Sequence, residues 1–352
     1  MGYLGRSPTP SPIDSSDIPD NSIDASKIID GAIAVADVAD NAITEDKIAD
    51  AAVVSLKSGR KNLLINGGFD VWQRGTSFTL TTSGYHTDRF RGRDGTFSRS
   101  TDVPPGEGFA YSVFNDNDGT RASINMRQVI ENGKRLTDGK ELTLSFWAKG
   151  SVNTTCSVDF GDTQNTTWNL TTSWNRVVVS VPAHADRNHN NLFSGGLFVD
   201  FNFYNNYPDI YITGIQLELG SVATDFEHRS YGEELALCQR YYSVLDEGRI
   251  LVINNGSGTG IIGSLALPQP MRAFPTLTKQ GAGSSSGSFS VYSGGSGTQV
   301  SHVSPASAVN VGIASKYMTA LNISSMSTFP DGYTGWADLS SSQLKLFFDA
   351  EL

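Results

Sequence analysis

The sequence predicts an elongated, mainly β molecule: an N-terminal repeat stalk shared between three chains, then two antiparallel β-sandwich or jelly-roll domains joined by a short helix. Three observations carry this. Ile or Val recurs at every fifth position from Ile13 to Val53. From Asn62 to about Tyr231, short alternating runs such as ELTLSFWAKG, NRVVVSVPA, GLFVDFNFY and DIYITGIQLELG lie between Gly, Asn, Asp and Thr clusters, the signature of antiparallel strands and turns. Helical patterning is confined to one stretch near residue 231.

The chain opens with MGYLGRSPTPSP, residues 1–12, where Pro8, Pro10 and Pro12 keep the backbone extended and nothing supplies a core. This leader reads either as a frayed terminus or as a peptide that orders on another protein, with Tyr3, Leu4 and Arg6 as its anchors.

Residues 13–60 form the stalk. Its core positions are Ile13, Ile18, Ile23, Ile28, Ile33, Val38, Ile43, Ile48 and Val53. On a helix, a five-residue step turns each side chain roughly 140° from the last, so these residues would spiral over every face. A coiled coil needs a 3.5-residue mean spacing, and in a flat strand an odd step sends successive side chains to opposite faces. Asp20, Asp30, Asp40 and Asp50 each follow an apolar position by two places, so the full unit is ten residues built of two unlike pentads. One Ile per pentad among Ala, Ser, Gly, Asn and Asp is too little for a private core, and partners must supply the rest. Three chains around a common axis satisfy this better than a square solenoid, which would close only about two coils, fewer than such arrays need. A disordered linker fits the polar, acidic composition but gives no reason for nine apolar residues to keep step.

Residues 61–231 form the jelly roll, with Phe146, Trp147, Val177, Val179, Phe198, Phe201, Ile212, Ile215 and Leu217 expected inside. YGEELALCQRYY predicts the helix, placed as a linker at 232–243. Leu235, Leu237, Cys238 and Tyr241 or Tyr242 face inward, and two Glu residues occupy the favourable first turn. Residues 244–352 form a second β domain. RILVINN, GIIGSLALP and the closing LKLFFDAEL read as strands, and the Gly/Ser stretch 281–299 embeds SFSVY between two turns.

Charge is unevenly distributed. The net charge is −10, and residues 13–56 hold ten acidic and two basic residues, so the remainder is nearly neutral. No basic domain exists to neutralise phosphates, which argues against nucleic-acid binding. Cys156 and Cys238 are the only cysteines and are expected to be free, buried thiols. No signal peptide or membrane-length apolar run is visible, so synthesis in a cytoplasm without membrane insertion is expected. The Asn-x-Ser/Thr triplets at Asn153, Asn165, Asn169, Asn255 and Asn322 are then read as turn sequences.

Several blocks carry a family resemblance. NLLINGGFDVWQRG (62–75), HTDRF (86–90) and above all ITGIQLELGSVATDFEHRSYGEELALCQRYY (212–242) resemble a recurring carbohydrate-binding-like jelly-roll module of phage tail-fibre and prophage structural proteins. LPQPMRAFPTLT (267–278) is similar to the start of the β domain that commonly follows it, and the MGYLGRSP leader and acidic Ile pentads are similar to those of virion fibres. The resemblance implies a trimeric fibre, a homotrimer whose N-terminus is held by other virion proteins and whose C-terminal domain points outward. It brings no catalytic or ligand-binding residue set. The motif residues therefore read first as fold determinants: Phe69 and Trp72 as core, Gly67 and Gly68 as a turn, Glu218 and Arg229 as an ion pair.

The residues give catalysis little support. Glycoside hydrolysis needs two carboxylates about 5–10 Å apart across a sugar, and among Asp70, Asp88, Glu131, Asp159 and Asp162 no pair stands out. The Gly-x-Ser-x-Gly match at 283–287 falls in the Gly/Ser-rich stretch with no helical pattern after it, so it is not read as a nucleophile elbow. His184, Asp186 and His189 read better as a solvated loop than as a metal site. In NDNDGT, Asp116 and Asp118 echo the start of a calcium loop, but Arg127 stands where its closing Glu belongs, which favours a turn. No cofactor or metal is expected.

Glycan binding needs exposed aromatic faces beside amide and carboxylate groups, because a sugar presents C–H faces and a rim of hydroxyls. Trp168 and Trp174, Tyr204 and Tyr207 in FNFYNNYPD, and Tyr292, Tyr333 and Trp336 in the C-terminal domain have that setting, the last set best placed on an outward-pointing end. For each residue taken singly, a core or interface role is the plainer reading. The expectation is a structural fibre of a tailed bacteriophage virion that attaches to host-surface polysaccharide without degrading it. The alternatives are a head- or collar-attached fibre with a mainly structural role, and a glycan-degrading tailspike.

Overall fold

The computed structural model describes most of residues 61–351, apart from several connecting segments, together with the isolated positions Ile23, Ile28 and Val38. The chain divides into a unit Met1–Val53 and a unit Val54–Leu352. Among the described residues the second unit is mainly β, with two helices, and its strands are paired antiparallel throughout.

Twelve strands build a sandwich. They are β1 (Ser77–Leu80), β2 (Gly84–Thr87), β3 (Phe90–Arg93), β4 (Gly95–Ser100), β5 (Ser112–Asp116), β6 (Asn125–Ile130), β7 (Leu142–Gly150), β8 (Thr154–Asp159), β9 (Asn165–Leu170), β10 (Asn175–Val181), β11 (Leu197–Asn202) and β12 (Ile210–Leu219). One six-stranded sheet runs β1-β4-β5-β12-β7-β10, and the facing one runs β2-β3-β6-β11-β8-β9. Period-two alternation decides what lies between them. In β10, Val177, Val179 and Val181 are buried while Arg176, Val178 and Ser180 are exposed. Phe146 of β7 meets Trp168 and Phe201 edge-on at 4.9 and 5.0 Å in the centre of the core.

The expected interior holds for Phe146, Val177, Val179, Phe201, Ile212, Ile215 and Leu217. Trp147 is a correction: it follows Phe146 in the same strand, so the pleat turns it to the outer face, half-buried. Phe198 is buried on the outer face of the second sheet, under the Arg127 guanidinium at 4.1 Å, and not in the shared core. Asn165, Asn169 and Asn322 lie within strands and not in turns. Cys156 and Cys238 are both free and buried.

A short helix α1 (Gly133–Thr137) precedes β7, and α2 (Tyr231–Gln239) follows the sandwich. Ser230 caps α2 reciprocally with Glu233, and acidic residues occupy its first turn where the dipole favours them. The helix ends at Gln239, short of the expected 243, because the chain enters β13 (Tyr242–Leu245) directly. The residues it buries are Glu234 and Cys238, not Leu235 or Leu237, because the Glu234 carboxylate serves the sandwich, receiving the Asn66 N–H and the Arg229 guanidinium.

Beyond it lie β14 (Arg249–Asn254), β15 (Ile261–Ala266), β16 (Thr276–Gln280), β17 (Phe289–Ser293), β18 (Gln299–Val303), β19 (Val309–Ala314), β20 (Met318–Ile323), β21 (Thr334–Asp338) and β22 (Lys345–Asp349). A seven-stranded sheet runs β18-β17-β21-β14-β15-β20-β19, and a three-stranded sheet runs β13-β22-β16. The three-stranded sheet is tied to the sandwich: Arg74 reaches Asp349 and Glu351 at 3.2 and 3.3 Å, and Arg89 pairs with Glu351. Among the described residues no helix is long and apolar enough to cross a membrane.

Candidate functional site

The motif blocks at 62–75, 86–90 and 212–242 pack on one another. β12 carries a bulge between Thr213 and Gln216, with Gly214 at φ +62°. Gly67 lies flush against it, exchanging a 2.9 Å hydrogen bond with Ile215, and a Cβ at Gly67 would sit 2.0 Å from the Ile215 carbonyl oxygen. The Asn62 amide donates to that carbonyl and accepts from the Leu64 and Leu217 N–H groups. Asn66 closes the turn ahead of Phe69 and accepts from the Val71 N–H.

Most of the charged residues in these motifs are consumed by the fold. The Asp88 carboxylate accepts from the Gln73 backbone at 2.6 Å and from its amide at 2.7 Å, and burial pushes its pKa up to about 6 against those bonds. Arg229 bonds Glu227, Glu234 and the Asn62 carbonyl, so the expected Glu218–Arg229 pair is not formed. Glu218 instead accepts from the Thr224 N–H and hydroxyl.

A cluster of aromatic and charged side chains lies on the outer face of the first sheet. Antiparallel register aligns Phe114 of β5, Tyr211 of β12 and Lys149 of β7. Phe114 stacks on Tyr211 at 4.6 Å, and Trp174, just before β10, meets Tyr211 edge-on at 6.4 Å. Lys149 sits over both rings, 4.7 Å from Tyr211 and 5.6 Å from Trp174. Asp102 closes the end of the row, accepting from the Trp174 indole at 2.9 Å and pairing with Lys149. Partial burial raises the Asp102 pKa, but the Lys149 and Trp174 hydrogen bonds and the lysine charge outweigh it and hold the carboxyl below its ordinary value. All three rings are half-buried, and Trp147 and Arg176 pair in register in the neighbouring row. The result is a continuous aromatic strip crossing the strands, edged by polar groups.

A cleft of about 580 Å³ opens at the rim of the same sheet, lined by Asp70, Trp72, Arg99, Tyr111, His228 and Tyr231 among others. Trp72 packs half-buried against the core with its indole N–H donated to the Phe69 carbonyl. Among the described residues no group of three His, Cys, Asp or Glu side chains is arranged to hold a metal ion.

Of the aromatics expected to meet a glycan, Trp174 lies in the strip. Trp168 is a correction: it is 4% exposed and wedged edge-on against Phe146 and Phe203, because its strand turns it inward. Tyr292 and Trp336 are register partners in β17 and β21. Tyr204, Tyr207, Tyr333, the anchors Tyr3, Leu4 and Arg6, and Asp118, His184, Asp186 and His189 lie outside the described residues. So do the stalk positions other than Ile23, Ile28 and Val38, which are 54%, 43% and 37% exposed in the single chain. Sequence reading missed Phe114, Tyr211, Lys149 and Asp102. Strand parity was the available signal: Tyr211 alternates with Ile210 and Ile212, and Lys149 with Ala148 and Gly150.

No family model matches the chain, and no curated protein matches it. Solved structures do. The enzymatically active domain of bacteriophage CBA120 tailspike protein 4 is similar at 21% identity and a TM-score of 0.31, covering 45% of this chain. This chain covers 21% of that one, about a fifth of its length. A family-61 carbohydrate-binding module in complex with β-1,4-galactotriose is similar at 14% identity and a TM-score of 0.29, over 46% of this chain and 99% of that one. The tandem family-22 modules from Paenibacillus barcinonensis Xyn10C are similar at 8% identity and a TM-score of 0.29, over 84% of this chain and 98% of that one.

Proposed function

We propose that this chain is a fibre component of a tailed bacteriophage virion, a homotrimer that attaches to host-surface polysaccharide through its β-sandwich, and that it binds without hydrolysing. The observation that carries the binding reading is the half-exposed strip Phe114–Tyr211–Trp174 with Lys149 and Asp102 at its edge. Stacked rings receive the C–H faces of successive sugars while flanking charged groups take their hydroxyls.

The fibre reading is supported by the motif blocks, the pentad repeat and the exposure of Ile23, Ile28 and Val38 in the single chain, which leaves these apolar residues available to a partner surface. On this reading Tyr3, Leu4 and Arg6 dock into the particle, residues 13–60 form the shared stalk, and Tyr292, Tyr333 and Trp336 remain glycan candidates of the C-terminal domain. Three weak sites per trimer, repeated over several fibres, yield avidity from effective concentration.

The test is retention of the chain on purified host polysaccharide, with reducing ends assayed in parallel. Tyr211→Ala and Trp174→Ala should each weaken binding about tenfold, the worth of a stacking contact plus its buried area. Unchanged binding in the double variant would remove the strip from the reading. Release of reducing ends, abolished by a single carboxylate substitution, would replace adhesion with a tailspike-type hydrolase.

A further inference from the structure

The cleft at the rim of the first sheet has a chemistry of its own. Its aromatic walls are Trp72, Tyr111 and Tyr231, and Tyr231 is 60% exposed. The Trp72 indole N–H is already spent on the Phe69 carbonyl at 2.6 Å, so this side chain contributes ring surface. Arg99 stacks its guanidinium over Tyr111 at 4.6 Å. Arg229 is neutralised by Glu227 and Glu234.

Asp70 is the exception among these occupied groups. The carboxylates of Asp88, Glu218, Glu227 and Glu234 all have hydrogen-bond partners, whereas half-buried Asp70 forms no hydrogen bond to any described residue. Burial raises its pKa, the nearby Glu234 charge adds to this, and His228 opposes it. A half-buried carboxylate held without hydrogen bonds, against the cost of its desolvation, is an acceptor prepared for donors from outside.

We propose that this cleft is a second saccharide site, of a different kind from the strip. It takes one neutral sugar ring, as presented by a chain end or side branch. Trp72 and Tyr231 receive the ring's C–H face, and two neighbouring hydroxyls donate to the Asp70 carboxylate. Its volume lies within the ~300–1,000 Å³ usual for small-ligand pockets. Neutrality follows from the charge balance of the lining, Asp70 standing against Arg99 while Arg229 is held by Glu227 and Glu234, which leaves no net charge to draw an acidic or a basic sugar. The assignment rests on the glycan reading but not on the strip.

Saturation-transfer NMR on the intact chain tests it, with neutral hexoses, 6-deoxyhexoses and N-acetylhexosamines as probes and a uronic acid as control. At least one neutral sugar should give signal, weakened about tenfold or more by Asp70→Asn, the expected cost of losing hydrogen bonds to a charged group. Tyr231→Ala should weaken it too. The signal should also fall on acidification, beginning above the ordinary carboxylate range. Asp70→Asn is isosteric, breaks no hydrogen bond in the fold and removes a charge that burial and Glu234 disfavour, so its melting temperature should be no lower than that of the parent chain. A signal indifferent to Asp70→Asn, or one given by the uronic acid alone, overturns the proposal. If no probe sugar binds while polysaccharide is still retained through Tyr211 and Trp174, the cleft assignment falls and the strip stands. If neither binds, both fall.

Discussion

Arg89 and Glu351 lie 262 residues apart in the chain, and their side chains are 1% and 3% exposed. Arg89 is held in left-handed backbone at φ 71°, donates to the Val129 carbonyl at 2.6 Å, and stacks over Tyr241 at 3.5 Å. Such a pair contributes little net stability when intact, but removing one partner strands a buried charge. Glu351→Gln should therefore cost about 3–5 kcal/mol in chemical denaturation, and a loss within experimental error would show that solvent reaches Arg89. His86 makes a pH prediction. It is fully buried, stacks on Phe97 at 4.2 Å, and neither ring nitrogen has a hydrogen-bond partner among the described residues, so burial holds it neutral with its pKa lowered to about 3. Its contribution is present above its ordinary value of 6.5 and is lost as pH falls through 3. Asp88 runs the other way: raised to about 6, its contribution is present below 3.8 and lost as pH rises through 6. Replacing His86 with Phe should remove an acid limb of up to about 1.4 kcal/mol per pH unit and expose the opposing slope of Asp88 between pH 4 and 6. Denaturation curves at three pH values would read this, and an unaltered slope would mean that His86 titrates normally.

At the scale of elements, the bulge in β12 and the turn at Asn66–Phe69 form one structure. Gly67→Ala would drive a Cβ into the Ile215 carbonyl and break the bond between the two segments, an overpacking at backbone level expected to cost about 3 kcal/mol. Thermal melting would measure it. A near-neutral result would mean that the two segments part easily, against the density of hydrogen bonds joining them. Much of this was legible in sequence. NGGFD read as a turn, DIYITGIQLELG as a strand and YGEELALCQRYY as a helix with acidic residues in its first turn, because each rests on local chemistry, whereas the Ser230 cap came from the structure. The inward turn of Glu234 and the outward turn of Trp147 were not. Glu234 faces in because the Asn66 N–H, brought there from the far end of the sandwich sequence, and the nearby Arg229 guanidinium offer it hydrogen bonds. Trp147 faces out because the pleat's parity overrides hydrophobicity once Phe146 is committed to the core.

For the whole molecule, the pentads make the sharpest demand. Sedimentation equilibrium on the 352-residue chain should give a trimer, and a chain beginning at Lys61 should dissociate if assembly resides in the stalk. A monodisperse monomer for the full chain would end the shared-stalk reading and favour the solenoid. Multivalency adds a corollary: retention on polysaccharide should drop far more steeply on truncation than the affinity of one sandwich for one oligosaccharide, because only the former gains from linked sites.

The sequence by itself determined the period of the repeat, the β class, the turn at Gly67 and Gly68, and the burial of the alternating Val, Ile and Phe residues. Each depends on side chains near in sequence and on a fixed geometric period. Only the tertiary structure decided that Phe114, Tyr211, Lys149, Trp174 and Asp102 share one surface, that Trp168 belongs to the core, and that Asp70 alone among the motif carboxylates named above keeps its oxygens free of hydrogen bonds. Those facts depend on strand order and register across β5, β12, β7 and β10, which long-range hydrogen bonding sets and no local pattern encodes.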